Sequence, residues 1–348
     1  MTSVFIFISG TTLLVYSAER LISSLVGVSR GLRISVFLLA ILFTGIEFDD
    51  IVLGVALNLE DEQDVALGLV LGTAVSFTGV VLALGAILTP TQFDIPRDYV
   101  VIFAAAPLLM FVFALREEVT PADAVVLIVL FLAWLAYVAH RETRRETATF
   151  RNLEIVEEMT EDDDDDEDDG PPDPARAQAI STMSVFNAQG RFSGWLNLAL
   201  AVLSLCGIIV GAATVSEGTD QFLERYDIDG TVFGATIVTA VLTIEDLFLT
   251  VRPIRKGVPE IGIGNVIGSV VFSVTAKIGI VVLAGGAVAF GSSVLRWHLP
   301  VLVGMTAIAA YFLSTGQLKR WHGYVLLALY VTYWIISYIV YGGAPVED

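Results

Sequence analysis

Long apolar segments separated by short polar connections make up most of the chain. A helix needs about 20 apolar residues to cross the hydrocarbon core of a bilayer. This length predicts ten membrane spans, at residues 2–17, 34–58, 65–89, 99–115, 121–139, 195–214, 231–251, 260–287, 298–315 and 322–341. The first has no basic flank before it and no small-residue cleavage site, so we interpret it as a retained span and not as a signal peptide. The pattern predicts an all-α polytopic membrane protein.

Five spans precede a long polar segment and five follow it, and a shift of 196 residues relates the two sets. The shift aligns acids with acids, glycines with glycines and a threonine with a serine: Asp49 and Asp50 with Glu245 and Asp246, Asp64 with Glu260, Gly68 and Gly72 with Gly264 and Gly268, and Thr73 with Ser269. An odd number of spans in each half inserts the second half upside down relative to the first. We therefore predict about ten transmembrane helices in two inverted five-helix repeats, at residues 1–140 and 192–348.

The segment between the repeats, residues 141–191, is strongly acidic. Residues 154–169 hold 12 of the 38 acidic residues and no lysine or arginine, so this stretch accounts for most of the net charge of −19. A segment with this charge, followed by prolines, cannot bury an apolar core. We predict a disordered cytoplasmic linker. Cation buffering and regulation are alternative roles, although the spacing is not that of a calcium-binding loop.

Composition agrees with a membrane protein and leaves the redox compartment open. Hydrophobic residues make up 55% of the chain, charged residues 16%, and the mean hydropathy is +0.75, which is outside the usual range of soluble domains. The single cysteine, Cys206, cannot form an intrachain disulfide. Fifteen of the 19 basic residues fall on the side of the membrane that holds the linker. The positive-inside rule therefore places both termini outside and the linker in the cytoplasm.

Two of the predicted spans contain acidic residues, which are Glu47, Asp49, Asp50, Glu245 and Asp246. An ionised carboxylate in hydrocarbon costs at least about 2.5–3.5 kcal/mol, so each is expected to face water, a counter-charge or a bound ion. On a helix Glu47 and Asp50 share a face, and we expect them to face one cavity with Thr243 and Asp246, their counterparts in the second half. Carboxylates that face each other suit a divalent cation, whose release requires protons or monovalent cations in its place. Asp49 points about 100° away from Asp50, so Asp49 and Glu245 are candidates for coupling or support.

The span after the second acidic cluster carries more oxygen ligands and one basic residue. Asn265, Ser269 and Ser273 offer amide and hydroxyl oxygens, which hard cations bind; hydrogen bonding between helices is their alternative role. Lys277 has Val81 as its counterpart in the first half. It either extends its ammonium toward the membrane surface or acts as a built-in cation that substitutes for a transported monovalent ion. The glycines of these spans favour close helix packing or a broken helix that exposes carbonyl groups.

The repeated segments resemble those of the calcium/cation antiporter superfamily, which includes the sodium/calcium exchangers and their prokaryotic relatives. Members have ten spans in two inverted halves, each pairing a Gly-Thr-Ser-Leu-Pro-Glu-like segment with a Gly-Asn-x-x-Gly-Ser-like segment. The sequence GNVIGS at 264–269 keeps the second motif, and Asn265 is similar to the family's asparagine ligand. The sequences GIEFDD at 45–50 and VLTIED at 241–246 place Asp50 and Asp246 where the family has calcium-binding glutamates, and Glu47 and Thr243 where it has serine hydroxyls.

The first half departs from this pattern more than the second. The sequence GLVLGT at 68–73 has Leu69 at the asparagine position, and Asp49 and Glu245 replace the family proline in the two acidic segments. Neighbouring acids in a poorly solvated site raise each other's pKa, so the extra carboxylates could favour proton coupling or tighter divalent binding. Lys277 adds a charge that the usual site lacks.

The resemblance implies a secondary antiporter that works by alternating access. It would exchange a divalent cation, calcium, for sodium. The implied metal ligands are Glu47, Asp50, Thr243, Asp246, Asn265 and Ser269, with Asp49, Glu245, Ser273 and Lys277 in coupling or supporting positions. The expected partners are the lipid bilayer and the transported ions, Ca²⁺ and Na⁺ or H⁺; we expect no resident cofactor, no enzymatic activity and no nucleic-acid partner. The oligomeric state is left open by the sequence.

Two alternative functions remain. One is a divalent cation/proton exchanger with altered selectivity, and the other is a non-transporting receptor or scaffold that retains the fold. An intramembrane aspartyl protease is disfavoured, because the two aspartates occupy equivalent positions of inverted repeats.

Overall fold

The computed structural model of the chain describes residues 2–32, 34–59, 63–116, 118–143, 190–226 and 246–341. In the first half the helices are α1 (Thr2–Leu32), α2 (Val36–Phe43), α3 (Phe48–Leu59), α4 (Gln63–Ser76), α5 (Leu82–Leu88), α6 (Arg97–Ala114) and α7 (Pro121–Thr143). In the second half they are α8 (Gly190–Tyr226), α9 (246–255), α10 (Pro259–Phe272), α11 (Ile278–Gly285), α12 (Leu299–Ser314) and α13 (Arg320–Tyr341). The predicted acidic linker lies almost entirely outside the described residues, as do Thr243 and Glu245.

The protein is an all-α polytopic membrane protein. Six stretches of helix among the described residues are long and apolar enough to cross a bilayer, and they are Ala66–Leu88, Arg97–Ala114, Pro121–Glu142, Gly194–Gly211, Pro259–Gly285 and Val294–Ser314. Each coincides with one of the ten predicted spans. The spans predicted at 2–17 and 322–341 lie within helices α1 and α13, and 231–251 falls mainly outside the described part of the chain. The total of ten remains a prediction.

Two predicted boundaries differ from the structure. Helix α1 continues to Leu32, well beyond the predicted end at residue 17. The side chain of Arg20 donates from Nε to the hydroxyl of Tyr16 one turn earlier, at 3.1 Å, and its guanidinium lies over the Tyr16 ring, so the charged residue is accommodated on the helix. The span predicted at 34–58 is two helices, α2 and α3, separated by residues 44–47.

The two halves repeat the same interruption at the same place. Helices α4 and α5 are joined by the π-helical turn Phe77–Val81, and α10 and α11 by the π-helical turn Ser273–Lys277. The two turns are separated by the 196-residue shift that aligns the sequence with itself. π-helical turns are rare in proteins, and those that do occur are often found at functional sites. A third π-helical turn, Val294–His298, leads into α12.

Short antiparallel ribbons join the halves. Strand β1 (Thr91–Gln92) pairs with β4 (Gln317–Leu318), and β2 (Glu118–Val119) pairs with β3 (Val288–Ala289). Each ribbon thus takes one strand from each half. The first helices of the two halves, α1 and α8, also pack along each other.

Helix α10 forms the centre of the molecule. All its residues except Glu260 are buried, and it packs against α2 of the first half. The neighbouring helix α11 packs against α3, where Asn58 Nδ2 donates to the carbonyl of Val281 at 2.8 Å. Two helices of the first half therefore lie against the two halves of one interrupted span from the second.

Candidate functional site

The break between α2 and α3 allows the first half to approach α10 closely. Helix α2 ends at Phe43, where the N–H groups of Thr44 and Gly45 both donate to the carbonyl of Ala40. A Cβ atom at Gly45 would lie only 2.9 Å from the Cα of Gly268, and a Cβ at Gly268 only 3.1 Å from the Cα of Gly45. The first distance is shorter than real Cβ contacts, so position 45 needs glycine, whereas a Cβ at position 268 would force the neighbouring backbone to shift by a few tenths of an ångström. The break thus lies directly against the GNVIGS segment.

The break also positions the acidic residues of the first half. Glu47 immediately precedes α3, and its carbonyl accepts the N–H of Ile51 at 3.1 Å. Asp50 lies in the first turn of α3. Both side chains are buried, with exposed fractions of 8% and 4%, and both contact the same cationic side chain, although Glu47 lies outside the helix on which the sequence placed it. The side-chain surroundings of Asp49 fall outside the described part of the structure.

That cation is Lys277, whose side chain is completely buried. The residue ends the π-helical turn Ser273–Lys277 of the second half. Its ammonium contacts two carboxylates and a hydroxyl, namely Glu47 Oε2, Asp50 Oδ2 at 2.6 Å and Thr73 Oγ1 at 2.9 Å. The structure therefore places Lys277 in contact with the acids and not at the membrane surface.

Hydroxyl groups complete this cluster. Ser273 Oγ donates to Glu47 Oε2 at 3.2 Å, so the predicted supporting residue Ser273 is in direct contact with a carboxylate. Thr73 donates its own proton to the carbonyl of Leu69 at 2.9 Å while accepting from Lys277. Thr73 was not predicted as a site residue, although its repeat alignment with Ser269 was a signal that could have identified it.

A second polar cluster lies further along α10. Asn265 Nδ2 donates to Thr250 Oγ1 of α9 at 3.1 Å. Among the described residues, Asn265 Oδ1 and Ser269 Oγ are buried without a hydrogen-bond partner. Unsatisfied buried oxygens are uncommon in native proteins, and amide and hydroxyl oxygens are ligands that hard cations accept. Asp246 is half-buried on the same helix as Thr250, one turn earlier.

One row of side chains connects both clusters. Asn265, Ser269, Ser273 and Lys277 follow each other at intervals of four residues, which places them on one face of α10 and its π-helical continuation. We call these four residues the polar row. Their counterparts in the first half are Leu69, Thr73, Phe77 and Val81. The four-residue period was visible in the sequence, but the sequence prediction treated the four positions separately.

The charged groups of the site lie close together in its buried part. Among the described residues, the ammonium of Lys277 contacts the carboxylates of both Glu47 and Asp50. Buried ions are tolerated only when they are paired and hydrogen bonded. Within the described ranges no group of three or more His, Cys, Asp or Glu side chains is arranged to hold a metal.

Comparison with known proteins shows which family this chain is similar to. The family profile described as "Sodium/calcium exchanger protein" matches residues 2–139 and 196–339. The sodium/calcium exchanger MaX1 of Methanosarcina acetivorans is 33% identical over 144 residues, which cover 40% of this chain and 40% of that protein. Uncharacterized membrane protein MJ0091 of Methanocaldococcus jannaschii is 24% identical over 339 residues, which cover 93% of this chain and 94% of that protein.

The fold agrees with these similarities. A solved structure of the sodium-calcium exchanger NCX_Mj, soaked with 2.5 mM Na⁺ and 0.1 mM Ca²⁺, superposes with a TM-score of 0.74 and covers 98% of this chain and 99% of that one. The sequence identity in this superposition is 19%, so the likeness speaks for the fold. The resemblance inferred from the repeated segments is confirmed. The chain belongs to the sodium/calcium exchanger family, a family of membrane transporters and not of enzymes.

Proposed function

We propose that the protein is a secondary active antiporter that exports a divalent cation, calcium, in exchange for sodium by alternating access. The observation that carries this proposal is the buried pair Glu47 and Asp50, which a broken helix of one half directs at the polar row of the other half. Buried carboxylates inside a membrane protein generally mark an ion pathway. Broken helices that meet at the interface of two repeats are typical of transporter ion sites.

The proposed ligands are those suggested by the repeated segments. Glu47 and Asp50 would come from the first half, and Thr243, Asp246, Asn265 and Ser269 from the second. The unsatisfied oxygens of Asn265 and Ser269 support their part, because each has lone pairs that no described residue uses. The names of two similar proteins, the sodium/calcium exchanger MaX1 and the sodium-calcium exchanger NCX_Mj, support calcium and sodium as the exchanged ions.

The proposed orientation has both termini outside and the acidic linker in the cytoplasm. Most basic residues then face the cytoplasm, as the positive-inside rule requires. The division into repeats at 1–140 and 192–348, with the linker at 141–191, belongs to the same proposal.

A flux experiment in proteoliposomes tests the exchange. Vesicles loaded with Na⁺ should take up ⁴⁵Ca²⁺ from a sodium-free medium, and a sodium ionophore that dissipates the gradient should abolish the uptake. Protein-free vesicles and vesicles containing Asp50→Asn serve as controls. Absence of calcium flux under any imposed sodium or proton gradient would defeat the proposal.

The same flux measurements distinguish two alternative functions. The excess acids at 49 and 245 favour a divalent cation/proton exchanger, for which uptake would follow an imposed pH gradient and ignore sodium. The ammonium of Lys277 on the acid pair favours a receptor or scaffold without transport, for which neither gradient would drive uptake.

A further inference from the structure

The ammonium of Lys277 is fully coordinated by the protein itself. An ammonium has three N–H donors, and three acceptors surround this one: Glu47 Oε2, Asp50 Oδ2 and Thr73 Oγ1. Its side chain has no exposed surface. Lys277 therefore fills the space between two carboxylates as a small monovalent cation would, with oxygen atoms of the protein as its ligands.

The contact crosses between the two halves of the molecule. Lys277 belongs to the π-helical turn that follows α10, whereas Glu47 and Asp50 belong to the break and first turn of α3. A transported cation that uses Glu47 and Asp50 must move the ammonium away from them. The lysine stem is long and flexible enough for the ammonium to move while the helix stays in place.

A buried lysine at the end of the π-helical turn is present in only one of the two halves. The counterpart of Lys277 is Val81, a buried apolar residue at the end of the equivalent π-helical turn. Ser273, one turn before Lys277, likewise has the apolar counterpart Phe77. The two halves thus provide one built-in positive charge, and the charge is placed on the acids of the other half.

We propose that Lys277 is a tethered counter-ion that replaces one transported monovalent cation. When the divalent cation leaves, the ammonium returns to Glu47 and Asp50 and neutralises one of their charges. The carrier then needs one monovalent cation fewer to complete the return step than its carboxylates alone would require. This inference rests on the proposed exchange function and concerns its coupling ratio.

The coupling ratio can be counted directly. In proteoliposomes with fixed sodium gradient, pH and membrane potential, the calcium gradient at which net flux is zero gives the number of monovalent cations exchanged per divalent cation. Repeating the measurement with fixed proton gradients counts protons in the same way. Lys277→Met and Lys277→Gln should each raise by one the total number of sodium ions and protons exchanged per divalent cation. Lys277→Arg keeps the charge and should leave the number unchanged.

Ser273→Ala provides a matched control. It removes the hydroxyl that contacts Glu47 and leaves every charge in place, so it should alter the calcium concentration for half-maximal flux without altering the ratio. An unchanged ratio in both neutral variants would overturn the tethered counter-ion. Absence of flux in the parent protein would instead defeat the exchange function, so the two failures are distinguishable.

A binding measurement covers the case in which the neutral variants do not transport. Equilibrium binding of ⁴⁵Ca²⁺ to purified protein should be about tenfold tighter or more in Lys277→Met, because calcium no longer competes with a buried ammonium for the carboxylates. The double variant Asp50→Asn/Lys277→Met should lose this gain, since it removes one charge of each sign. Equal or weaker calcium binding by folded Lys277→Met would overturn the inference.

Discussion

The ammonium of Lys277 lies 2.6 Å from Oδ2 of Asp50 and thereby joins the interrupted central span of the second half to helix α3 of the first. Both residues are buried, so the ion pair forms where water does not compensate for its loss. Any movement of one half past the other must either carry this pair along or replace the ammonium with another cation. The pair therefore ties the two halves together at the proposed ion site.

Asp50→Asn should abolish divalent exchange and leave a folded protein. The substitution keeps the side-chain volume and leaves Glu47 to pair with the ammonium of Lys277, so the fold should be retained. It removes a charge that a divalent cation would bind, and losing one partner of a buried charge pair in a binding site costs about 2–5 kcal/mol of binding free energy. We expect calcium flux to fall by at least about 100-fold. Size-exclusion chromatography in detergent reports folding, and flux in proteoliposomes reports activity. Flux equal to that of the parent protein would remove Asp50 from the site.

Asp246→Asn tests the contribution of the second half. Asp246 precedes Thr250 by one turn on α9, and Thr250 holds the amide of Asn265. If Asp246 shares the cation with Asp50, the variant should lose calcium flux to the same extent. A variant with normal flux would restrict the site to the first half and the polar row.

The close approach of Gly45 and Gly268 predicts that a methyl group added at either position lowers the stability of the protein. Gly45→Ala and Gly268→Ala would each bring a Cβ within 2.9–3.1 Å of backbone atoms of the other glycine's segment, and such overpacking typically costs about 1–3 kcal/mol. We expect both variants to unfold at a lower temperature in detergent. Gly72→Ala is the matched control, because a Cβ there would meet nothing within 4 Å. Equal melting temperatures for all three would contradict the contact.

The sequence predicted the elements that depend on local composition and internal symmetry. Six helices coincide with predicted spans because membrane insertion imposes a length and an apolar composition that a sequence displays. The sequence prediction put Glu47 and Asp50 on one face of a helix, whereas Glu47 lies just before the first residue of α3; both side chains contact Lys277. The contact of Lys277 with these acids did not follow from the sequence, because it joins residues more than 200 positions apart, and the sequence left it equally able to reach the membrane surface.

Other features were missed because they depend on long-range packing. The glycines had indicated that a helix could break here, but the position of the break at 44–47 depends on the approach of Gly268 to Gly45, which a local pattern of apolar residues does not reveal. Thr250 had no chemical signal of its own in the sequence. Its role as the acceptor for Asn265 emerges only when α9 and α10 are adjacent.

Deletion of residues 161–169 should leave exchange intact at saturating ion concentrations. These acidic residues are predicted to lie in the cytoplasmic linker, whereas the site lies inside membrane spans. Charges separated by more than about 8–10 Å of aqueous salt solution are largely screened at physiological ionic strength. Calcium flux of the shortened protein should therefore match the parent after correction for the amount reconstituted. Complete loss of flux in a correctly inserted protein would make the linker part of the mechanism.

Thr250→Val should weaken calcium binding through Asn265. The valine keeps the shape of threonine but removes the oxygen that accepts the hydrogen bond from Asn265 Nδ2 at 3.1 Å. The buried amide is then free to turn, and its Oδ1 is no longer held in one direction. A neutral hydrogen bond contributes about 1 kcal/mol, so we expect the calcium concentration for half-maximal flux to rise about fivefold. Thr250→Ser retains the hydroxyl and should stay close to the parent value.

The loss of calcium affinity in Thr250→Val is to be compared with the loss in Asn265→Ala. It removes the proposed neutral ligand itself, so its loss of calcium affinity should exceed that of Thr250→Val while remaining milder than the loss in Asp50→Asn. Adding Thr250→Val to Asn265→Ala should then have little further effect, because the hydroxyl acts through an amide that is already absent. Additive losses in the double variant would show that Thr250 acts on the cation independently of Asn265, and normal affinity in Asn265→Ala would exclude its amide oxygen as a ligand.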